Sequence, residues 1–308
     1  MKTLPSKVSV VVPASTSNLG PAFDCLGLAL GLYNELEVER IGDRGEPVVE
    51  IEGEGARSLP RTRENLIVRA FNGALAGRAE GRFAFRCKNR IPLARGLGSS
   101  AAAAVAGLFA AGAFLEEGTL TREQLLDYAI ALEGHPDNVA PAVMGGLVAS
   151  ARQKQGVSVS WPLKAHKDLK AAVCIPEFEL STAKSRGVLP DTYLRQDAVD
   201  NAARCVLLGS ALERGLWDRL PLAMEDRFHQ PYRAALVKGL NAVIRAARDA
   251  GCGGALSGAG PAVLALGAPD KLAAAGEAMA AAFAEHGVKS RAVVLDVDKK
   301  GVAVKIAR

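Results

Sequence analysis

Aromatic residues are scarce in this chain, and long apolar runs are missing. Phenylalanine, tryptophan and tyrosine make up 5% of its 308 residues, which is too few for the stacking platforms of proteins that bind single-stranded nucleic acid. Lysine and arginine are scattered without a run of five, so the net charge of +5 does not indicate a nucleic-acid surface. The sequence contains no run of 18 apolar residues, which is about the length that a helix needs to cross a bilayer. We therefore expect the protein to bind neither nucleic acid nor membranes.

Cysteine is also sparse. The five cysteines are widely spaced and include no Cys-x-x-Cys pair, which argues against a disulfide framework or a zinc site. They are expected to be reduced and mostly buried. The start of the chain lacks the charged and then apolar pattern of a secretory signal. Together these absences predict a cytoplasmic protein.

The hydrophobic pattern predicts an α+β fold in two parts. A length of 308 residues suffices for two domains, and a content of 49% hydrophobic residues provides core material. A β-rich first half is followed by alternating strands and helices. A polar stretch at 162–170 suggests the junction, so we predict domains at residues 1–165 and 166–308. Alternating patterns at 34–41 and 48–52 predict two strands joined as a hairpin by the Gly-Asp-Arg-Gly turn between them.

The most informative segment is residues 91–100, which read Ile-Pro-Leu-Ala-Arg-Gly-Leu-Gly-Ser-Ser and run into four alanines. Alanine is the strongest helix former, so the glycines and serines fall at the start of a helix. Unpaired amides and the positive end of the helix dipole form an anion site there, and glycines let phosphate oxygens approach the backbone. The segment lacks the lysine of a Walker motif and the third glycine of a dinucleotide fingerprint. It predicts a site for a nucleoside triphosphate, unless the glycines only form a tight turn into a buried helix.

Two further segments are rich in small residues. Residues 12–24 read Val-Pro-Ala-Ser-Thr-Ser-Asn-Leu-Gly-Pro-Ala-Phe-Asp, and residues 251–261 read Gly-Cys-Gly-Gly-Ala-Leu-Ser-Gly-Ala-Gly-Pro. Taken alone, the first could be a turn and the second a glycine-rich hairpin. With the phosphate loop, however, they resemble the three signature motifs of the GHMP kinases, the galactose, homoserine, mevalonate and phosphomevalonate kinase family. The resemblance extends from Val8 to about Leu266 in the family's order and spacing.

The resemblance implies a fold and an activity. The fold is the two-domain GHMP kinase fold, in which a domain like domain 2 of ribosomal small-subunit protein 5 precedes a ferredoxin-like domain, with the active site between them. The segment Glu-Gly-His-Pro-Asp-Asn-Val-Ala-Pro at 133–141 is most similar to family members that act on homoserine. The implied reaction transfers the γ-phosphate of ATP to the hydroxyl of L-homoserine, with Mg²⁺, and gives O-phospho-L-homoserine for threonine biosynthesis. The implied ATP contacts are Pro92, Leu93, Ala94, Arg95, Gly96, Leu97, Gly98, Ser99, Ser100 and Ala101.

The resemblance also assigns roles near the phosphates. Ser100 and Glu133 would hold Mg²⁺, which prefers oxygen ligands and often takes only one or two from protein. Alternatively, Glu133 is a solvated acid at a helix end, although the helix dipole disfavours a carboxylate there. Asn138 occupies the place of an aspartate base in other members, which implies direct attack by the hydroxyl without a strong base; Asp137 stays open as a base. The expected catalytic set is Ser100, Glu133, Asn138 and Arg186.

The acceptor pocket needs groups for both charges of an amino acid. A carboxylate and neutral oxygens suit an ammonium group, and Asp24, Asn18 and Asn138 provide them. The alternative for Asn18 and Asp24 is turn formation beside a glycine and a proline. His135 is expected to position the substrate or to have a structural role. A role as the base of a nucleophilic triad would require a partner serine, and the serine motif of such a triad is missing.

A substrate carboxylate suits bidentate guanidinium groups. The resemblance places Arg186 and Arg233 at this position, with Arg227 competing for the second role. Two other hypotheses stay open. A sister kinase for mevalonate or a polyol would not require a pocket with both charges, and a non-catalytic nucleotide-binding protein would not require Glu133. A homodimer is compatible with the resemblance, but the sequence does not fix the oligomeric state.

Overall fold

The computed structural model of the chain describes residues 5–77, 81–115, 119–152 and 158–307. Over these ranges the chain forms two β-sheets covered by helices, so the predicted α+β class is confirmed. The strands are β1 (Lys7–Ser17), β2 (Leu26–Gly42), β3 (Val48–Gly53), β4 (Arg82–Asn89), β5 (Leu147–Arg152), β6 (Ser158–Leu163), β7 (Lys170–Pro176), β8 (Gly253–Leu256), β9 (Val263–Leu266), β10 (Ser290–Asp296) and β11 (Ala303–Ala307). The helices are α1 (Leu66–Leu75), α2 (Ser99–Phe114), α3 (Arg122–Glu133), α4 (Pro136–Met144), α5 (Thr182–Arg186), α6 (Arg195–Arg214), α7 (Leu220–Ala223), α8 (Gln230–Arg233), α9 (Leu240–Asp249) and α10 (Leu272–Glu285).

The larger sheet has the strand order β11-β1-β2-β4-β3, and β5 and β6 extend it from the start of β2. Helices α2 and α4 pack on its strands, and α1 packs on α2. The small residues of α2 permit this close packing: a Cβ atom on Gly107 would lie 2.3 Å from the carbonyl oxygen of Ile67 in α1. The alanine-rich helix is therefore buried on nearly all sides, and only its first turn faces the cleft described below.

The smaller sheet is antiparallel, with the order β10-β7-β9-β8. Helices α9 and α10 pack against each other and against this sheet. Their apolar faces form a second core with β7 and β9, which includes Val243, Leu272 and Phe283. This sheet lies in the second half of the chain, where it supports the glycine-rich segment that connects β8 to β9.

The expected hairpin between residues 34–41 and 48–52 is wrong. Both segments are strands, but β4 lies between them, and β3 pairs with β4 in parallel. Parallel strands need a crossover connection, which α1 provides here. The composition of residues 42–45 is typical of a hairpin turn. A local sequence pattern does not determine which strands pair in a sheet, so it predicts the wrong neighbour for β2.

Strand β1 continues past Pro13 to Ser17, with a shift in its pairing to β2 between Pro13 and Ala14. The shift accommodates proline, which cannot donate to a sheet. This extension brings the small polar residues of the first motif to the cleft. The apolar and β-branched run at residues 157–161 also predicts a strand; residue 157 lies outside the described residues, and the rest of the run coincides with β6.

The last strand returns to the first half of the chain. β11 pairs with β1, so residues 303–307 belong to the larger sheet although they end the chain. The division into residues 1–165 and 166–308 stays a prediction.

The five cysteines are unpaired. Among the described residues, no helix is long and apolar enough to span a membrane, and the cytoplasmic location also stays a prediction.

Candidate active site

The end of β1 and the loop after it form one wall of a cleft. Asn18 and Asp24 both have left-handed backbones, with φ of 71° and 57°. The Asn18 side chain accepts a hydrogen bond from the Asp24 amide at 3.0 Å and donates one to the carbonyl of Gly258 at 2.9 Å. The two residues therefore form a turn, and their role in binding an acceptor stays a prediction. The turn also joins the first motif to the third.

The phosphate loop lies against the third motif. A Cβ atom on Gly96, whose φ is 73°, would lie 2.0 Å from the carbonyl oxygen of Ser257, so this position requires glycine. The Ser257 hydroxyl donates to the carbonyl of Gly96 at 2.7 Å. Gly98 caps α2 with a left-handed backbone and offers no side-chain cap, so the first amides of the helix remain available to an anion.

Glu133 and Ser100 are in direct contact. Glu133 is the last residue of α3, and Gly134 follows it as the C-cap in the left-handed conformation. The Ser100 hydroxyl donates to a carboxylate oxygen of Glu133 at 2.5 Å. The pairing places a hydroxyl and a carboxylate beside the phosphate loop. In the described part of the chain there is no cluster of three His, Cys, Asp or Glu residues that could hold a metal ion.

The start of α4 contributes three polar side chains. His135 Nδ1 lies 2.6 Å from a carboxylate oxygen of Asp137, which is only 2% exposed. Burial alone would lower the pKa of His135, but the hydrogen bond and charge of Asp137 outweigh it and raise that pKa. The Asn138 side chain accepts from the Ser15 hydroxyl at 3.1 Å and donates to the Ser17 hydroxyl at 3.0 Å. These bonds fix the orientation of the amide toward β1.

Asp24 and Arg186 form a bidentate ion pair. The two guanidinium nitrogens of Arg186 donate to the two carboxylate oxygens of Asp24 at 2.7 and 3.0 Å. The hydrogen bonds that Arg186 donates to the Asp24 carboxylate raise the pKa of Arg186. The sequence predicts that Asp24 binds the ammonium group of a substrate and that Arg186 binds its carboxylate. It does not predict that the two side chains contact each other. The pair links the loop after β1 to α5, across the cleft.

Arg233 is buried at the floor of the cleft, with 1% of its surface exposed. Its Nε donates to the carbonyl of Ser185 at 3.1 Å and its Nη1 to that of Gly258 at 3.2 Å, while its guanidinium lies 5.3 Å from the centre of the Phe23 ring. Burial and the charge of Arg186 lower the pKa of Arg233 to about 10. Arg227, the competing residue, is exposed and does not line the cleft.

These elements converge on one cleft between the two halves of the chain. The predicted site residues that line it are Asn18, Asp24, Pro92, Ala94, Arg95, Gly96, Leu97, Gly98, Ser99, Ser100, Ala101, Glu133, His135, Asn138, Arg186 and Arg233. Leu93 lines an adjoining cavity instead.

The Arg95 side chain is bonded to backbone carbonyls. It lines the cleft, but its guanidinium donates to the carbonyls of Leu93 and Pro176 at 2.7 and 2.9 Å and also to that of Glu177. It therefore ties the phosphate loop to the end of β7, and its role as a phosphate contact stays a prediction.

Sequence reasoning missed several residues around the cleft. Ser17 and Thr182 line it, and Phe23 packs beneath both arginines. Ser17 and Phe23 belong to the first motif, so their position in that motif was an available signal. Asp226 and His229 form a buried network below Arg233, and only the proximity of His229 to Arg233 in sequence could have indicated it.

The cleft combines a glycine-rich helix start with an adjacent hydroxyl–carboxylate pair and with a pocket that carries positive and negative side chains. This arrangement is typical of a kinase that acts on a small molecule. The chain belongs to the GHMP kinase family: residues 65–146 match the model for the GHMP kinases N terminal domain, and residues 210–285 match that for the GHMP kinases C terminal domain. It is thus an ATP-dependent phosphotransferase with a hydroxyl group as acceptor.

Full-length relatives carry a more specific name. The chain is 46% identical to the homoserine kinase of Moorella thermoacetica over 91% of its length and 94% of that protein. It is 43% identical to the homoserine kinase of a Synechococcus strain over 97% and 98% of the two chains. The crystal structure of homoserine kinase from Cytophaga hutchinsonii superimposes with a TM-score of 0.88 at 27% identity, covering 99% of both chains. Mevalonate kinase of L. major, at 19% identity over 95% and 98% of the two chains and a TM-score of 0.72, shares the fold.

Proposed function

We propose that the chain transfers the γ-phosphate of ATP to the hydroxyl of L-homoserine and produces O-phospho-L-homoserine, a step of threonine biosynthesis. The observation that carries the proposal is the placement of Asp24, Arg186 and Arg233 in the same cleft as the phosphate loop. A substrate with one ammonium and one carboxylate group near its hydroxyl fits such a pocket, whereas a neutral polyol does not. The names of the full-length relatives support the same substrate.

The nucleotide would bind across two adjoining spaces. Its phosphates would accept hydrogen bonds from the amides at the start of α2, near the positive end of the helix dipole. Its base would enter the cavity beside the loop; Ala94, Ser99 and Ser100 line both this cavity and the cleft. The other residues that line this cavity are mainly apolar: Asn34, Ile51, Leu59, Pro60, Asn65, Leu66, Ile67, Cys87, Asn89, Leu93 and Ala103. An apolar cavity with a few amide groups is suited to a planar heterocycle.

The donor set beside the loop fits Mg²⁺. Ser100 and Glu133 provide two oxygen donors in contact with each other, and magnesium usually takes one or two ligands from protein and the rest from phosphate and water. When bound, the ion would neutralise charge that develops on the phosphates during transfer. The role of the chain is then to hold the triphosphate at α2 and to keep the Glu133 carboxylate facing it.

The acceptor pocket can keep its ion pair when substrate binds. Each oxygen of the Asp24 carboxylate has two acceptor positions, and Arg186 uses one on each. A substrate ammonium can therefore bind Asp24 without displacing Arg186. The substrate carboxylate would lie between Arg186 and Arg233, whose guanidinium groups offer five donors each. The result is a chain of alternating charges that orients the substrate hydroxyl toward the phosphate loop.

We infer that none of the described residues lining the cleft, Asp137 included, acts as a strong base toward the acceptor hydroxyl. Asp137 is buried and bonded to His135. This bond raises the pKa of His135, although the burial of His135 acts in the opposite direction. Asn138 is held by two serines and is neutral. We therefore infer direct attack of the hydroxyl, with Asn138 orienting it. Positioning and electrostatic stabilisation account for most of the catalysis in this class of reaction.

Asp24→Asn tests the acceptor pocket. The substitution should weaken homoserine binding about tenfold or more, because it removes the charge that faces the ammonium group. The dissociation constant of ATP should stay nearly unchanged. Calorimetric titration of each substrate measures both constants, with the exposed Asp191→Asn variant as a matched control. A parallel loss of ATP affinity would mean that Asp24 maintains the structure of the cleft and does not bind the acceptor.

We also propose that two copies of the chain associate through α6. Its exposed face is apolar, with Val206 74% and Val199 56% exposed. Val206→Asp should therefore yield a monomer in light scattering after gel filtration, whereas Tyr128→Asp, on the exposed face of α3, should not. A monomeric wild type, or a dimer that Val206→Asp leaves intact, would contradict this surface.

A further inference from the structure

A buried polar network lies beneath the acceptor pocket. The Asp226 carboxylate accepts hydrogen bonds from the amides of His229 and Gln230 at 2.9 and 2.7 Å, and so fixes the turn into α8. It also accepts from the Asn201 side chain at 3.1 Å. The turn holds the His229 ring in a position where it is completely buried.

The His229 ring joins two parts of the acceptor pocket. Its Nε2 lies 2.8 Å from the carbonyl oxygen of Gly20, in the loop between Asn18 and Asp24. Its Nδ1 lies 3.1 Å from Nη1 of Arg233. A guanidinium group can only donate, so Nδ1 must accept and Nε2 must carry the hydrogen. The network therefore requires the neutral ring in one tautomer.

The surroundings of His229 favour that neutral form. Asp226 faces the ring, with 3.5 Å between its carboxylate and Nε2. Arg233 faces it on the other side, Asp24 contributes a weaker negative charge, and the uncharged Phe23 ring stacks on it at 5.4 Å. Burial is the strongest effect and, with Arg233, lowers the pKa of His229 against the opposing charge of Asp226. The lowered pKa and the hydrogen bond that Nδ1 accepts from Arg233 both favour the neutral ring.

We propose that His229 is a positioning residue for the acceptor: through Nδ1 it orients the guanidinium of Arg233, and through Nε2 it holds the loop of Asp24. This inference rests on the proposed function, in which both residues bind the amino acid. Protonation of the ring would remove the acceptor for Arg233 and add a cation beside it. Homoserine binding should therefore weaken on the acid side of the pH range, whereas ATP binding, which uses other groups, should not.

Two substitutions separate the two bonds of the ring. Asn places its side-chain oxygen near the position of Nδ1, so His229→Asn can keep an acceptor for Arg233. Gln places its amide nitrogen near Nε2, so His229→Gln keeps the bond to Gly20 and loses the acceptor. We expect His229→Gln to raise the KM for homoserine about tenfold or more, with a smaller rise for His229→Asn. The KM for ATP and the Tm should change similarly little in both variants.

The pH profile gives an independent readout. In the wild type, kcat/KM for homoserine should fall at acid pH, and His229→Asn should shift or remove this acid limb because its side chain does not titrate. Equal effects of Asn and Gln on homoserine, or losses of ATP affinity and Tm in step with them, would overturn the positioning role while leaving the kinase activity established. A wild-type enzyme that does not phosphorylate homoserine would overturn both proposals.

Discussion

Replacing Glu133 by glutamine should reduce turnover about a hundredfold or more, because loss of one group that stabilises transition-state charge typically has that effect. The substitution keeps the shape of the side chain at the end of α3 and removes the charge that faces the phosphate loop. Steady-state kinetics at saturating ATP and magnesium measure it. Asp127→Asn is a matched control, since this acid lies on the exposed face of the same helix.

Ser100→Ala completes the test, because the Ser100 hydroxyl is bonded to the Glu133 carboxylate. If the two side chains act as one unit, the double variant should lose little more activity than the worse single variant. Losses that simply add would indicate two independent roles. Turnover close to wild type in both single variants would exclude this pair as the metal-binding group.

Arg233→Gln should lower kcat/KM for homoserine roughly a hundredfold or more, since removing one partner from a buried charged contact leaves the other group unpaired. Arg227→Gln should stay near wild type, because Arg227 is exposed outside the cleft. The comparison decides between the two arginines that the sequence leaves open.

The same variants need a check of folding, since Arg233 also donates to the carbonyls of Ser185 and Gly258. Thermal unfolding and ATP titration provide it. If Arg227→Gln were the damaging substitution, or if Arg233→Gln lost ATP and homoserine affinity together, Arg233 would not be the second carboxylate ligand.

Local chemistry predicts much of this molecule. The glycines and serines before the alanines start α2 at Ser99, as predicted, and Thr121 and Gln124 form a capping box, another local sequence pattern, at the start of α3. These features depend on neighbouring residues alone, so they can be predicted from a single sequence. The resemblance to the GHMP kinases also identified the family correctly, because its three motifs occur in order along the whole chain.

Long-range pairing could not be predicted in the same way. The insertion of β4 between β2 and β3, and the return of β11 to β1, depend on which strand lies alongside another. The Asp24–Arg186 pair joins residues 162 positions apart, and Arg95 is bonded to carbonyls of the second half of the chain. The residue types indicate the chemistry of the site, whereas the tertiary structure decides which charges contact each other before a substrate arrives.

The most direct test of the proposed function is a coupled ADP-release assay with a panel of acceptors. If the pocket binds both charges of the substrate, kcat/KM for L-homoserine should exceed that for 4-hydroxybutyrate, which lacks the ammonium group, by about a hundredfold or more. The same should hold for 3-amino-1-propanol, which lacks the carboxylate, and mevalonate should be inactive. Turnover of mevalonate or of either singly charged analogue as fast as homoserine would contradict the proposed function, and a sister kinase with another acceptor would take its place.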